Sequence, residues 1–179
     1  MAARTAVANG NWSSPSTWDG GATIPATGDT VNLSTFTVQA DQDITVVSIS
    51  ATTGKLVVSA ARTINANIPT SGSTAGSFII EATLTTGTFT LNGNISAAVG
   101  TAHGIRINAA STVVVNGNLS GSYYGQPCIL VNASGAVLTV TGTANVSGMQ
   151  STVLVSAVQP CTITYNGNVT GGAAGANGV

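Results

Sequence analysis

A short phrase, Asn-Gly-Asn followed by an apolar residue, recurs along the chain and limits what it can fold into. Exact copies begin at Asn92, Asn116 and Asn166, and related segments begin at Asn65 and at Gly142. The apolar residues that close these segments are Ile68, Ile95, Leu119, Val146 and Val169, at spacings of 27, 24, 27 and 23 residues. Self-similarity at this period is typical of repeat architectures in which stacked units share one core.

The residues before each phrase alternate between apolar and polar, which is the period of a β-strand. The apolar positions, which we expect to face a core, are Phe89, Leu91, Val113, Val115, Leu138, Val140, Ile163 and Tyr165. The residues between them, which we expect to face outward, are Thr90, Val114, Thr139 and Thr164. Because Val114 interrupts this column, the sequence does not predict an ice-binding threonine ladder.

A second strand lies upstream of each phrase, in segments 47–51, 78–82, 105–109, 129–133 and 153–157. Alternation predicts that the second residue of each of the last four segments points outward and that these residues form one column, namely Ile79, Arg106, Leu130 and Leu154. A contiguous apolar stripe on a polar surface usually marks an interface, so these four are candidates for an oligomer contact. The alternative is that a loop or the N-terminal segment covers the stripe within one chain.

Two or three short strands per repeat, joined by tight turns, predict an all-β fold: a right-handed parallel β-helix, or solenoid, with rungs of about 25 residues. We expect residues 44–179 to form the solenoid repeats and residues 1–43 to form a capping leader. The glycines are expected in turns that need positive φ. Stacked asparagines are expected to hydrogen-bond from rung to rung, which makes the Asn-Gly-Asn phrase structural and not a ligand site.

The leader has its own pattern, Trp12-Ser-x-Pro-x-Thr-Trp18, then Pro25, then Gly28-Asp29-x-Val31. This pattern resembles the opening of the eight-glycine β-helix domain of cell-surface proteins, and leader segments of bacterial surface proteins and phage tail and fibre proteins. The resemblance implies that Trp12 and Trp18 cap the open end of the solenoid. It also implies a homo-oligomer, with a trimer favoured because phage β-helix fibres are usually trimers. Residues 30–70 contain fewer glycines than the family has, so no ligand is carried over.

Charge is scarce: the chain has four basic and five acidic residues, and a net charge of −1. This balance provides no cationic surface for nucleic acid or anionic lipid, so neither is an expected partner. No apolar run is long enough to span a membrane, and no apolar segment of signal-peptide length follows Arg4. We therefore expect no membrane insertion and no secretory export.

The chemistry-bearing residues do not predict an active site. Four of the five acids, Asp19, Asp29, Asp41 and Asp43, precede residue 44, and the repeats contain only Glu81. His103 is expected in a loop, in a solvated or capping role. Cys128 and Cys161 match no zinc spacing, and free thiols are favoured over a disulfide. No catalytic residue, metal or cofactor is predicted.

These observations favour a non-enzymatic structural protein of a bacteriophage virion, such as a tail fibre, head fibre or capsid decoration. The expected location is a virion assembled in the host cytoplasm, with other virion proteins as partners. The alternative is a carbohydrate- or receptor-binding adhesin module of a phage or bacterial surface protein, in which a host surface glycan stacks on Trp12, Trp18, Tyr123 or Tyr124. A third interpretation is a fragment of a polysaccharide-degrading tailspike whose active site lies outside this chain.

Overall fold

The computed structural model describes residues 2–19, 21, 23–98, 102–122, 127–147 and 154–170. Within these ranges the chain forms short parallel strands and one 3-10 turn at Pro15–Thr17. Each strand pairs with strands about one repeat before and after it, and the chain winds into a β-solenoid of about six coils. The predicted all-β solenoid with rungs of about 25 residues is confirmed. No helix in the described part of the chain has the length and apolarity to cross a membrane.

The strands line up on three faces, which we call A, B and C. Face A is a seven-stranded sheet of β2 (Gly10–Asn11), β4 (Thr37–Gln39), β6 (Lys55–Val58), β8 (Phe78–Ala82), β11 (His103–Ile107), β14 (Ile129–Val131) and β17 (Val155–Ala157). Face B contains β9 (Thr88–Asn92), β12 (Thr112–Val115), β15 (Val137–Val140) and β18 (Thr162–Tyr165). Face C contains β1 (Ala3–Thr5), β3 (Thr30–Asn32), β10 (Ile95–Ala97), β13 (Leu119–Ser122), β16 (Ala144–Ser147) and β19 (Val169–Thr170).

Two long strands join faces B and C into one 12-stranded sheet. The first half of β7 (Arg62–Pro69) pairs with β9, and its end pairs with β10. In the same way β5 (Ile44–Ser50) pairs with both β7 and β3, with a register shift between Thr45 and Ser48. Because β4 also pairs with β6, hydrogen bonding runs without interruption across residue 43, where the sequence predicts the end of the leader.

The core is a column of aliphatic side chains inside the three faces. The predicted inward residues of face B are confirmed: Phe89, Leu91, Val113, Val115, Leu138 and Val140 are completely buried. Ile163 and Tyr165 are partly buried and pack against the same core. Side chains inside a parallel solenoid stack on their own equivalents one coil away, and so each coil buries the apolar surface of the next.

Two register predictions are wrong. The segment Thr141-Gly142-Thr143-Ala144, and not residues 142–146, occupies the position of Asn116-Gly117-Asn118-Leu119, because Ala144 pairs with Leu119. Residues 47–50 of the segment 47–51 lie in β5, whose end belongs to face C, whereas the face A strand of that coil is β6. In both cases, apolar residues nearby alternate with the same period, so alternation alone does not determine which residues align from coil to coil.

The glycines of the Asn-Gly-Asn turns serve close approach and not positive φ. Positive φ occurs at Gly21, Gly28, Gly72, Gly76, Gly87 and Gly135 among the described glycines, and at none of the turn glycines. A Cβ atom at Gly117 would instead collide with the carbonyl oxygen of Gly93, and one at Gly142 with the carbonyl oxygen of Gly117. The turn needs glycine because successive backbones stack directly on one another there.

Candidate functional site

The outward column of face A differs from the predicted apolar stripe. Pairing places Glu81 beside Arg106, Arg106 beside Leu130, and Leu130 beside Ser156. Gln39 and Val57 occupy the equivalent positions on the preceding coils. The column therefore contains polar, charged and apolar side chains in turn, and only Arg106 and Leu130 of the four predicted residues belong to it.

The predicted positions of Ile79 and Leu154 are wrong, since both side chains are completely buried. They precede the paired residues Ile80 and Val155, which are also buried, so strict alternation does not hold at these two positions. The same position on the two intervening coils is Gly104, where a Cβ atom would collide with the Ile95 side chain inside the solenoid, and Cys128, which is completely buried. Half of the predicted stripe therefore belongs to the core.

A small charged cluster lies on face A around Phe78. Lys55 Nζ is 2.6 Å from Glu81 Oε2, and both Lys55 Nζ and the Arg106 guanidinium lie over the Phe78 ring, at 5.1 and 5.0 Å from its centroid. Asn108 donates to Glu81 from the next coil. The carboxylate is therefore held by its own chain, and the half-buried Arg106 contacts an aromatic face.

The two tryptophans cannot stack on a glycan. Trp12 and Trp18 are each only 1% exposed, and their rings meet edge to face with centroids 4.8 Å apart. The indole N–H of Trp18 donates to the carbonyl oxygen of Trp12 at 2.9 Å. A stacking platform needs an open ring face, so the glycan-stacking prediction is wrong for this pair. Tyr123 and Tyr124, the other two candidates, lie outside the described residues.

All five acidic side chains accept hydrogen bonds from their own chain. Asp29 accepts from the backbone N–H of Ala2 and Ala26 and lies 3.5 Å from Arg4 Nε. Asp19 accepts from the N–H of Thr5, Asp43 from that of Thr63, and Asp41 from Ser13. Most of these bonds join one coil to the next. Among the described residues, no three His, Cys, Asp or Glu side chains are grouped as a metal site would require.

Asp29 and Asp41 have lowered pKa values for related reasons. The backbone N–H groups of Ala2 and Ala26 are the main cause of the lowered pKa of Asp29. Burial acts to raise the pKa of Asp41, but the hydrogen bonds from Ser13 outweigh it. Both carboxylates are stabilised in the charged form, which suits a role as a hydrogen-bond acceptor and not as a proton donor.

His103 lies in strand β11, where its side chain is buried, and not in the predicted solvated loop. Its Nδ1 is 3.0 Å from the carbonyl oxygen of Pro127, so Nδ1 carries the hydrogen. Burial is the largest effect on this imidazole and lowers its pKa; the neighbouring Arg106 adds to the lowering. The neutral ring therefore holds the backbone at Pro127 in place.

The two cysteines are free thiols, as favoured from the sequence. Cys128 is completely buried, and burial raises its pKa to about 12. A thiol with this pKa carries almost no thiolate at neutral pH and is a poor nucleophile. Cys161 is partly buried against the core.

The Asn-Gly-Asn corner joins faces B and C and carries two polar ladders. Asn116 Nδ2 donates to Asn92 Oδ1 at 2.9 Å, and Asn92 Nδ2 donates to Asn65 Oδ1 at 2.8 Å. On the other side of the glycines, the backbone N–H of Asn118 donates to Asn94 Oδ1 at 2.9 Å, and the pattern repeats at Thr143. The predicted rung-to-rung asparagine bonds are confirmed.

A shallow trough of about 560 Å³ lies on face C beside this corner. It is lined by Asn94, Ser96, Asn118, Leu119, Ser120, Thr143 and Asn145. Three amides, three hydroxyls and one leucine make up this lining, and none of these side chains is charged.

Comparison of the chain with protein-family models, with curated proteins and with solved structures finds no match in any of the three. The arguments for function therefore rest on the geometry above.

Proposed function

We propose that this chain is a non-enzymatic structural protein of a bacteriophage virion: a short rod in a tail fibre, head fibre or capsid decoration. The observation that carries the proposal is the use of the acidic side chains. Each of the five accepts a hydrogen bond from its own chain, and most of them join neighbouring coils. Glycoside hydrolysis usually needs two carboxylates that act together on one bond, whereas these carboxylates are hydrogen-bonded within their own chain.

Immunogold labelling of lysates that contain the chain tests the virion role. We expect gold particles on virions, at one repeated position. Labelled cell envelopes beside unlabelled virions would overturn the proposal and favour a bacterial surface protein.

Assembly is proposed to use face A around Arg106 and Leu130. Leu130 is half-buried in the single chain and lies beside Arg106, so a partner could cover its remaining apolar surface. Light scattering should give an oligomer for the wild type and a monomer for Leu130→Lys, because an unpaired cation is costly to bury. Thr164→Lys on face B is the control and should leave the mass unchanged. A monomeric wild type, or an unchanged mass for Leu130→Lys, would contradict this contact.

The absence of catalysis is tested on host surface polysaccharide. Purified chain should release neither reducing ends nor unsaturated sugars. Cleavage that Asp41→Asn or Asp43→Asn abolishes would replace the structural role with an enzymatic one.

The trough on face C favours a second candidate function, binding of a neutral host glycan. Its amide and hydroxyl groups offer both donors and acceptors, which is the hydrogen-bonding chemistry of sugars. A glycan array tests this with the wild type and with Asn145→Ala, which removes an exposed amide from the trough. Signal that is lost in the variant supports the adhesin; a wild type that binds no glycan rejects it.

A further inference from the structure

The outer surface of face B forms a regular grid of small side chains. The register aligns Thr88, Thr112, Val137 and Thr162 in one column, and Thr90, Val114, Thr139 and Thr164 in a second. A third column, at the Asn-Gly-Asn corner, contains Asn92, Asn116, Thr141 and Asn166. The first two columns thus hold six threonines and two valines on the four strands β9, β12, β15 and β18.

The grid repeats in two directions. Neighbouring strands lie about 4.8 Å apart, and alternate residues along one strand lie about 6.6 Å apart. The register passes through all four strands without a shift, unlike that between β5 and β7. Side-chain ladders of the kind that borders this face favour a flat sheet over a twisted one.

The threonine hydroxyls of the grid are free to bind outside the molecule. Among the described residues, none donates a hydrogen bond to these hydroxyls or accepts one from them. The six hydroxyls belong to Thr88, Thr90, Thr112, Thr139, Thr162 and Thr164. Each hydroxyl can donate one hydrogen bond and accept two. Valine has the shape of threonine with a methyl group in place of the hydroxyl, so Val114 and Val137 keep the surface level; Val137 is 37% exposed.

The chemistry of the grid excludes most partners. No charged residue lies in its three columns, which disfavours nucleic acid, phosphate groups and acidic lipid. No aromatic residue lies there either, which disfavours stacking of a sugar ring, and the first two columns contain none of the amide side chains that line the trough on face C. What remains is a surface of methyl groups and unpaired hydroxyls on a lattice, and the matching partner is water that is itself ordered on a lattice.

We propose that the outer surface of face B binds ice. The column that Val114 interrupts does not predict this by itself, but the structure places a second threonine column beside it, so the surface is an array and not a single ladder. The methyl groups exclude disordered water, the hydroxyls hold ordered water by hydrogen bonds, and the two repeat distances set its positions. This function goes beyond the proposed virion role and does not depend on it, because assembly is assigned to face A and glycan binding to face C.

The test is the growth of single ice crystals in a solution of the purified chain. The wild type should facet the crystals and hold their growth over an interval of supercooling. Thr139→Lys should lose both effects, because a charged, hydrated side chain then stands in the centre of the grid. Thr53→Lys, at an exposed position in the turn before β6, is the matched control and should keep both. Val114→Thr adds the missing hydroxyl and should keep or widen the interval.

Circular dichroism and thermal unfolding of each variant show whether a loss of activity comes from the changed surface of a folded protein or from unfolding. If Thr139→Lys does not fold, Thr139→Leu takes its place, because it removes the hydroxyl and enlarges the side chain without adding charge. Round, freely growing crystals with the folded wild type would overturn the proposal. So would an equal loss in Thr53→Lys, or wild-type activity in folded Thr139→Lys. Binding of the wild type to an insoluble neutral polysaccharide that Thr139→Lys abolishes, without any effect on ice, would reassign the face.

Discussion

The first coils, residues 2–62, and the later coils, residues 78–170, hold their neighbours by different chemistry. In the first coils, carboxylates accept hydrogen bonds from the backbone of an adjacent coil, as Asp41 does from Ser13 and Asp43 from Thr63. In the later coils, amide side chains form ladders, and only Glu81 and Arg106 are charged beyond residue 62. The first coils tolerate an irregular sequence because each carboxylate hydrogen bond forms independently of the side chains on other coils. The later coils repeat because a ladder works only when each coil offers the same group.

The largest effect is expected from breaking the core of the later coils. Val115 is completely buried between Leu91 and Val140, so Val115→Asp leaves a charge without a partner and should cost several kcal/mol. We expect loss of cooperative unfolding in urea or loss of soluble expression. Val114→Asp, the outward neighbour, is the control and should cost about 1 kcal/mol or less. A stable Val115→Asp variant would remove this residue from the core.

The next effect concerns the stacked glycines. Gly117→Ala places a Cβ atom against the carbonyl oxygen of Gly93, and overpacking of this kind costs about 1–3 kcal/mol. The equivalent position near the first coils is Ala66, where a Cβ is already accommodated, so Ala66→Gly should cost only about 0.5–1 kcal/mol. Chemical denaturation measures both. Equal costs would show that the two regions do not differ in how closely their backbones stack.

Asn116→Asp places a carboxylate in an amide ladder. The stability of this variant should depend on pH in the opposite direction to that of the first coils. The new carboxylate cannot donate to Asn92 Oδ1, and it is repelled by that oxygen. Its folded pKa should therefore be raised, and the variant should gain stability as pH falls through that pKa and the group becomes a donor. At neutral pH the variant should be about 1 kcal/mol less stable than the wild type. Urea unfolding at pH 7 and pH 4 checks the sign.

His103 should make the later coils sensitive to mild acid. Its folded pKa lies below 6.5, so the unfolded chain binds its proton first as pH falls. Stability that is complete above pH 6.5 should therefore decline between that value and the lowered folded pKa. His103→Asn should flatten the dependence of the unfolding midpoint on pH between 7.5 and 5.5. An unchanged slope would exclude this imidazole as the cause.

The smallest effect is expected in the first coils, in stronger acid. Asp29 and Asp41 have pKa values lowered from 3.8, so their contribution is present above that value and is lost as pH falls through the folded pKa. Hydrogen exchange should quicken at the backbone N–H groups of Ala2 and Ser13 before it quickens at the amide-laddered Asn118. Simultaneous loss of protection would mean that the coils unfold as one unit.

The sequence predicted the face B strands and the asparagine ladders, because each Asn-Gly-Asn turn sets the register of the strand before it. It misplaced Ile79 and Leu154, since each stands next to another buried apolar residue and alternation cannot say which one begins the pattern. The column of Thr88, Thr112 and Thr162 was missed, although each lies four residues before a turn asparagine. Burial of the tryptophans depends on how the first coil closes around them, which no local pattern encodes.

The direction of the hydrogen bonds determines how the rod responds to force. On all three faces they connect one coil to the next, so they run along the axis of the solenoid. Tension applied between Ala3 and Thr170 would load the outermost coil first and peel it away, releasing about 80 Å of chain per coil of about 24 residues. A sideways push would be shared by three sheets at once. The molecule should therefore resist a sideways force as one unit and extend coil by coil under tension along its axis.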